Sequence, residues 1–264
     1  MNNTFSIKRF KLLFRKTIAE RPVQTIGVMA LLLVLSLILY VAAKELAGFN
    51  AAQNLSFIWG LAGGGFFMAS FVFGYFGTNA SGSSYLTLPA SYLEKWLCGI
   101  LIAGVLYLII FLLFYHLMDI AFVEAYHHSL DPSSLSYKQQ YDSVYPFDLT
   151  GRIAGKVYAM FLMLAGAMFT GALYFNKSAF IKTAIFCCSI FLVLFGLNWL
   201  TATMLFGHIN DAGLYNHVTL PLGKEEATLL MPASTESLFL TTTLYIIPAV
   251  LWLLPLIRLR EKEF

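Results

Sequence analysis

Residues 97–118 read LCGILIAGVLYLIIFLLFYHLM, an apolar run without an acidic residue, Lys or Arg. The hydrocarbon core of a membrane offers the backbone no hydrogen-bond partner, so a run of about 20 such residues is typical of a membrane-spanning helix. Similar runs lie at residues 23–43, 55–76, 157–175, 183–206 and 238–257. We therefore predict an all-α fold, a polytopic membrane helix bundle with six transmembrane helices in a single transmembrane domain over residues 1–264.

Composition excludes several classes of protein. Hydrophobic residues make up 59% of the chain and charged residues 12%, whereas a soluble domain carries about 25% charged residues. The 24 Phe and 14 Tyr exclude a disordered chain, and a net charge of +3 is too small to indicate a nucleic-acid-binding protein. The three cysteines, Cys98, Cys187 and Cys188, lie in apolar runs without zinc-ligand spacing. We predict no metal and no cofactor.

The charged residues are distributed unevenly among the segments between the runs. If the N-terminus is cytoplasmic, the inner segments hold 12 of the 17 Lys and Arg residues but only 4 of the 14 acidic residues. This distribution predicts that both termini are cytoplasmic, with the long segments 119–156 and 207–237 outside. A cleaved signal peptide ending at Val41-Ala42-Ala43 is the alternative for the first run, which exceeds the roughly 7 to 15 apolar residues of a signal peptide.

The second run is rich in glycine. Gly60 and Gly64 have the spacing at which small residues let a neighbouring membrane helix approach closely. Close packing is therefore the preferred interpretation of this run, and a gating hinge is the alternative.

An amphipathic helix is predicted before the first run, at residues 5–20 (FSIKRFKLLFRKTIAE). Helical spacing places apolar side chains on one side and basic residues beside or opposite them, which is typical of a helix at the membrane interface. Six residues are predicted to lie at this interface: Lys8, Phe10, Lys11, Phe14, Arg15 and Lys16. The helix either anchors the topology on anionic lipid or has a mechanical or docking role.

The cytoplasmic segment between the second and third runs carries the most specific motif. Residues 85–97 read YLTLPASYLEKWL, and Ser91 and Glu94 have the spacing of a capping box that begins a helix. Pro89 excludes one continuous helix, and Lys95 would lie at the lipid boundary. Apolar side chains in a water-facing loop commonly mark a partner contact; here they are Tyr85, Leu86 and Leu88. The simpler interpretation is a well-formed helix start.

Several kinds of chemistry are missing from the sequence. No run carries an Asp, Glu, Lys or Arg in its interior, whereas ion-coupled transporters need such groups within the membrane. A phosphate-binding loop, an H-E-x-x-H motif and a G-x-S-x-G motif are also missing. Hydrogen bonds between helices account for the polar His116 and Asn198. We therefore predict that the chain is not an enzyme and is either passive or driven by a partner.

These features together resemble ABC type-2 transporter permeases, particularly the short permease-like chains of Bacteroidetes-type bacteria. The similarity lies in the topology, the basic amphipathic helix and the L-P-A-S-x-x-E-K motif within residues 86–97. The resemblance implies a coupling loop that binds a cytoplasmic ABC ATPase. Its implied residues are Tyr85, Leu86, Leu88, Pro89, Ala90 and Ser91, with Glu94 and Lys95 at the base of the third helix. It also implies short re-entrant helices in residues 207–237, where the polar stretch 223–226 departs from the pattern.

The predicted function is that of the membrane-spanning permease subunit of an ABC-type exporter in the bacterial inner membrane. ATP hydrolysis by the partner ATPase would drive the substrate across, and two permease subunits would pair as a homodimer or heterodimer. The leading alternative is a non-transporting membrane anchor or assembly protein that presents its outer segments to an envelope partner. A third hypothesis is an intramembrane enzyme that uses His116 or Asn198. The substrate is not predicted, because an apolar path accepts lipids, peptides or drugs alike.

Overall fold

The computed structural model describes residues 5–77, 79–175, 177–213, 217–222, 225–230 and 232–261, and most of this part is helical. The helices are α1 (Ile7–Glu20), α2 (Val28–Phe57), α3 (Gly64–Val72), α4 (Asn79–Thr87), α5 (Tyr92–Ile100), α6 (Tyr107–Ser129), α7 (Tyr137–Tyr141), α8 (Arg152–Tyr174), α9 (Ala179–Phe206), α10 (Ala233–Thr241) and α11 (Ile247–Glu261). Wider turns of π type lie at Val23–Gly27, Ile58–Gly63, Leu101–Leu106 and Thr242–Ile246, and a 3-10 turn lies at Gly74–Gly77. The strands are β1 (Asp211–Ala212), β2 (His217–Leu222) and β3 (Glu225–Leu230).

Five helical segments are long and apolar enough to cross a membrane, which indicates an integral membrane protein. They extend over Val23–Val72, Tyr92–Ser129, Arg152–Tyr174, Ala179–Phe206 and Ser237–Glu261. Each predicted run falls largely within one of these segments, and the first two runs share the segment Val23–Val72.

The first segment bends at Gly48. A straight helix of its 50 residues would be about 75 Å long, more than twice the thickness of a hydrocarbon core. Gly48 has φ 83° and ψ 177°, which glycine adopts because it lacks a Cβ atom.

Residues at equal distances from Gly48 meet across the bend. A Cβ atom placed on Gly60 would lie 3.0 Å from the Cβ of Ser36. A Cβ atom placed on Gly64 would lie 3.8 Å from Cδ1 of Leu32. The two arms of the segment are therefore antiparallel.

The glycines of the second arm let aromatic side chains reach the backbone. A Cβ atom on Gly60 would collide with the ring of Phe111, and one on Gly64 would collide with the hydroxyl of Tyr107. The Tyr107 hydroxyl donates a hydrogen bond to the Gly60 carbonyl. The close packing predicted for Gly60 and Gly64 is therefore confirmed, and α6 is the helix that packs there.

Replacing Gly64 by Ala is expected to lower the free energy of unfolding by about 1–3 kcal/mol, because the new methyl group overlaps the Tyr107 hydroxyl. Gly63→Ala is the matched control, since its Cβ atom would lie 3.4 Å from the Trp59 ring, an ordinary contact distance. Thermal unfolding of the detergent-purified variants, followed by tryptophan fluorescence, measures the difference. Equal stability of the two variants would show that Gly64 is not a packing position.

The helix of the third predicted run is longer than the run itself. The run ends at residue 118, but α6 continues without a break to Ser129, within the predicted outer segment. Asp119 and Val123 are both buried in this continuation, one turn apart on the side that faces the bundle. The helix continues past residue 118 because other parts of the protein pack against the side that carries Asp119 and Val123.

A buried carboxylate joins three parts of the chain at this end of the bundle. Oδ1 of Asp119 accepts hydrogen bonds from the Tyr40 hydroxyl at 2.9 Å and from the Gln53 side-chain amide at 3.0 Å. Its Oδ2 accepts a hydrogen bond from the backbone N–H of Phe147 at 2.6 Å. Tyr40 and Gln53 lie on opposite sides of Gly48, so Asp119 connects both arms of the first segment to the segment that follows α7.

Replacing Asp119 by Ala is expected to lower the free energy of unfolding by about 2–4 kcal/mol, because the Tyr40 hydroxyl, the Gln53 amide and the half-buried N–H of Phe147 all lose this acceptor. The Gln53 amide keeps its bond to the Tyr145 carbonyl. Limited proteolysis between residues 130 and 150 measures the release of the outer segment, and thermal unfolding measures the global effect. Asp131→Ala is the control, since Asp131 is exposed and bonds to Ser133 within one turn. Unchanged proteolysis of the Asp119 variant would contradict this role.

A three-stranded antiparallel sheet lies between α9 and α10 in the chain, in the order β1-β2-β3. In the pairing of β2 with β3, His217 is opposite Leu230 and Leu222 is opposite Glu225. The side-chain amide of Asn198 in α9 donates to the Gly213 carbonyl at 3.0 Å, which attaches the residue directly after β1 to α9.

The sheet corrects one expectation about residues 207–237. The re-entrant helices implied by the resemblance are wrong for residues 217–222 and 225–230, which are strands. The chain as a whole is mostly helical, in agreement with an all-α membrane bundle, and the small sheet is an addition to it. The β-branched Val218 and Thr219 favour extended backbone, and pairing between neighbouring strands satisfies their backbone groups.

Candidate functional site

The predicted coupling segment forms a corner between α4 and α5, and we call residues 85–95 the corner. The helical path is interrupted around Pro89, as predicted. The backbone N–H of Ala90 donates to the Leu88 carbonyl at 2.7 Å, which makes the turn tight. The corner is therefore a defined turn between two helices and not an extended loop.

The capping box predicted from the S-x-x-E spacing is confirmed. The Ser91 hydroxyl accepts a hydrogen bond from the backbone N–H of Glu94 at 3.2 Å, and Oε2 of Glu94 accepts one from the backbone N–H of Ser91 at 2.8 Å. These bonds satisfy two donors at the start of α5 that have no partner within the helix. They fix the direction in which α5 leaves the corner.

The second oxygen of Glu94 holds helix α1. Oε1 accepts hydrogen bonds from the backbone N–H of Ser6 at 2.7 Å and from the Arg9 guanidinium, whose Nη2 is 3.0 Å away. The Glu94 side chain is fully buried. The Glu94 carboxylate therefore caps the N-terminus of α5 with Oε2 and binds the start of α1 with Oε1.

Lys95 fixes the other side of the corner. Its Nζ donates to the Leu86 carbonyl at 2.7 Å, in the last turn of α4, where a cation complements the helix dipole. The rings of Tyr85 and Tyr92 lie 5.7 Å and 5.8 Å from the ammonium group. Lys95 is fully buried, so neighbouring protein encloses the side chain that the sequence predicts at the level of the lipid boundary.

Tyr85 lies in a stack of rings and cations. Its ring stacks on Tyr75 with a centroid distance of 4.7 Å, and the Arg21 guanidinium lies 3.9 Å from the centroid of the Tyr75 ring. Only 4% of Tyr85 is exposed, and this burial raises the pKa of its hydroxyl well above the usual value. Tyr85 thus belongs to the protein interior.

The surface that the corner offers to a partner is smaller than the sequence suggested. Leu86 and Leu88 are half-buried against the core, whereas Thr87 and Pro89 are exposed. Ala90 is buried. The expectation of exposed apolar side chains is therefore wrong for Tyr85, and it holds only in part for Leu86 and Leu88.

Helix α1 packs its apolar side against protein. Leu13 and Thr17 are buried, and Phe10 and Phe14 pack against the core. The Thr17 hydroxyl lies 3.8 Å from Sγ of Cys98 in α5. The four basic residues predicted at the membrane interface are exposed: Lys8, Lys11, Arg15 and Lys16. This arrangement favours the mechanical or docking role of α1 over a simple lipid anchor.

Sequence reasoning missed Arg9 as the partner of Glu94. The amphipathic pattern does not distinguish Arg9 from the other basic residues of α1, all of which it predicts beside or opposite the apolar side. The available signal was that Ser6 and Arg9, three residues apart, lie on one side of the start of the helix. The sequence could not indicate which carboxylate that side would meet.

The other polar candidates lie apart from the corner. His116 is exposed on α6, and the Asn198 side-chain amide donates to the Gly213 carbonyl beside β1. Among the residues that the structure describes, no group of three or more His, Cys, Asp or Glu side chains is placed to hold a metal ion.

Comparison of the chain with protein-family models, with curated proteins and with solved structures finds no match. The family suggested by the sequence motif therefore stays a prediction.

Replacing Arg9 by Gln is expected to release α1 from the corner, because Glu94 loses its cationic partner. Losing a charge-assisted hydrogen bond corresponds to about tenfold to a hundredfold faster amide hydrogen exchange in a locally opening helix. Hydrogen–deuterium exchange over Ile7–Glu20 measures this effect. Lys8→Gln, at the exposed neighbouring position, is the control with the same loss of charge. Wild-type exchange in the Arg9 variant would mean that the ion pair does not hold α1.

Proposed function

We propose that the chain is the membrane-spanning permease subunit of an ABC-type exporter, with six crossings and both termini in the cytoplasm. The bend at Gly48 supports six crossings, since each antiparallel arm of the first segment is long enough for one. An even number of crossings leaves both termini on one side. The distribution of Lys and Arg favours the cytoplasm for that side, in keeping with a bacterial inner membrane.

The observation that carries this proposal is the attachment of the corner at Glu94. Its carboxylate bonds to the N-terminus of α5 and to two residues at the start of α1. The Lys95 ammonium bonds to the end of α4. A force applied near Pro89 would therefore move α4, α5 and α1 together, because these hydrogen bonds connect the three helices across the short turn.

The corner is also connected to two membrane-spanning segments. α5 continues through the π turn Leu101–Leu106 into α6, and α1 leads into the first segment directly after Pro22. A partner at the corner would act on both segments at once. The sequence contains no phosphate-binding loop, so in this proposal a cytoplasmic ATPase supplies the energy. Two such permeases, identical or different, would form the transport path.

The alternative is a non-transporting anchor or assembly protein that presents its outer segments to an envelope partner. Two observations favour it as a second candidate. Asp119 gives the segment after α7 a fixed position on the bundle. The strand β3 exposes Leu229 and Leu230, of which 45% and 74% are accessible.

Replacing Thr87 by Arg is expected to reduce the amount of co-purified ATPase at least tenfold, because it places a long charged side chain on the exposed surface of the corner. The buried contacts of Glu94 and Lys95 are not touched by this change. The chain is tagged in its own cells, extracted in mild detergent, and its stoichiometric partners are identified by mass spectrometry.

Ser133→Arg is the matched control, since Ser133 is exposed in the outer segment. An ATPase with a phosphate-binding loop that is retained by Ser133→Arg and lost by Thr87→Arg would support the exporter. Recovery of envelope proteins alone from a monodisperse wild-type preparation would contradict it and support the anchor.

A further inference from the structure

A small polar cavity lies where α1 meets the corner, and we call it the α1 cavity. Its volume is about 60 Å³. Lys16, Glu20 and Arg21 line it on the side of α1, and Tyr75, Ser84 and Tyr85 line it on the other side. The cavity thus brings two cations, three hydroxyl-bearing residues and one carboxylate together.

The charges around the α1 cavity are not balanced. Glu20 is the acidic residue of its lining, and its Oε2 lies 3.9 Å from Nζ of Lys16. The Arg21 guanidinium lies over the Tyr75 ring and donates to the side-chain oxygen of Gln24 at 3.1 Å, and both of these partners are uncharged. In the part of the chain that the structure describes, Arg21 has no carboxylate within 4.0 Å. The cavity therefore carries an excess positive charge and favours an anion.

The position of the cavity indicates where that anion comes from. α1 exposes both basic and large apolar side chains, among them Ile7 and Leu12, which is typical of a helix at the level of lipid headgroups. Arg21 lies just before Val23, where the first apolar segment begins. The cavity is thus within reach of the headgroups of lipids that surround the bundle.

We propose that the α1 cavity binds the phosphate group of an anionic phospholipid. A guanidinium group matches two phosphate oxygens, an ammonium group adds a point charge, and hydroxyl groups donate further hydrogen bonds. The cavity volume of about 60 Å³ is several times the roughly 10–15 Å³ that one water molecule needs by the same measure, which leaves room for a phosphate group. The acyl chains of a phospholipid are far larger and lie outside the cavity.

The bound phosphate would stabilise the corner, and this consequence does not depend on the proposed exporter function. Arg21 and Tyr75 belong to the stack that holds Tyr85, and the Tyr85 ring faces the Lys95 ammonium. An anion bound beside Arg21 would hold the Arg21 side chain in its position over the Tyr75 ring. The bound lipid thus stabilises the corner, which is the proposed binding site of the ATPase.

Thermal unfolding of the full chain in non-ionic detergent tests the proposal. Dioctanoyl phosphatidylglycerol is expected to raise the unfolding temperature in a concentration-dependent way, since a ligand that binds the folded state stabilises it. Dioctanoylglycerol, which has the same acyl chains without phosphate, is expected to have no such effect. Sodium phosphate distinguishes free phosphate as the source: stabilisation by sodium phosphate equal to that by the lipid would overturn the assignment to lipid.

Two pairs of substitutions locate the site. Lys16→Gln with Arg21→Gln is expected to raise the apparent dissociation constant of the phospholipid at least tenfold. Lys11→Gln with Arg15→Gln removes the same charge at exposed positions outside the cavity and is expected to keep the wild-type response. An equal loss in both pairs would show general attraction to a basic helix and overturn the site. If the first pair does not fold, Lys16→Gln alone, at a half-exposed position, carries the comparison.

Discussion

A carboxylate inside an apolar bundle must receive its hydrogen bonds from polar groups of the protein, because neither lipid tails nor apolar side chains can supply them. Glu94 and Asp119 both meet this requirement, near opposite ends of the same spanning segment. Glu94 takes donors from α1 and from its own helix start, and Asp119 takes them from both arms of the first segment and from the segment after α7. Each carboxylate thereby fixes parts of the chain that are distant in sequence.

Between these two attachments the bundle is held by close packing. In lipid no hydrophobic effect drives helices together, so their association depends on how closely their surfaces pack. The second arm supplies glycines against which Tyr107 and Phe111 pack, and Gly65 receives the ring of Phe161 from α8 in the same way. In contrast, α9 is exposed along most of its length and contributes little to this packing.

Helix α1 connects the two proposals. It packs against α5, it is attached to the corner through Arg9, and its last turn lines the cavity that we assign to a phospholipid. A partner at the corner and a lipid at the cavity would therefore act on the same small group of elements. In these proposals α1 therefore has a part in the function of the bundle, in addition to its predicted place at the membrane interface.

The sequence by itself determined the features that depend on neighbouring residues. The apolar runs, the interruption at Pro89, the Ser91–Glu94 capping box and the close approach at Gly60 and Gly64 are visible locally, because each depends on spacing along one helix. The sequence also placed the basic side of α1 correctly, since helical periodicity separates it from the apolar side.

Only the tertiary structure decided the features that depend on contacts between residues distant in sequence. The bend at Gly48, the burial of Lys95, the pairing of Arg9 with Glu94 and the continuation of α6 past Asp119 all depend on which helices meet. The strands after α9 depend on each other for their backbone hydrogen bonds. A charged residue has the same local pattern whether it faces water or a buried partner, so only the folded chain distinguishes the two cases.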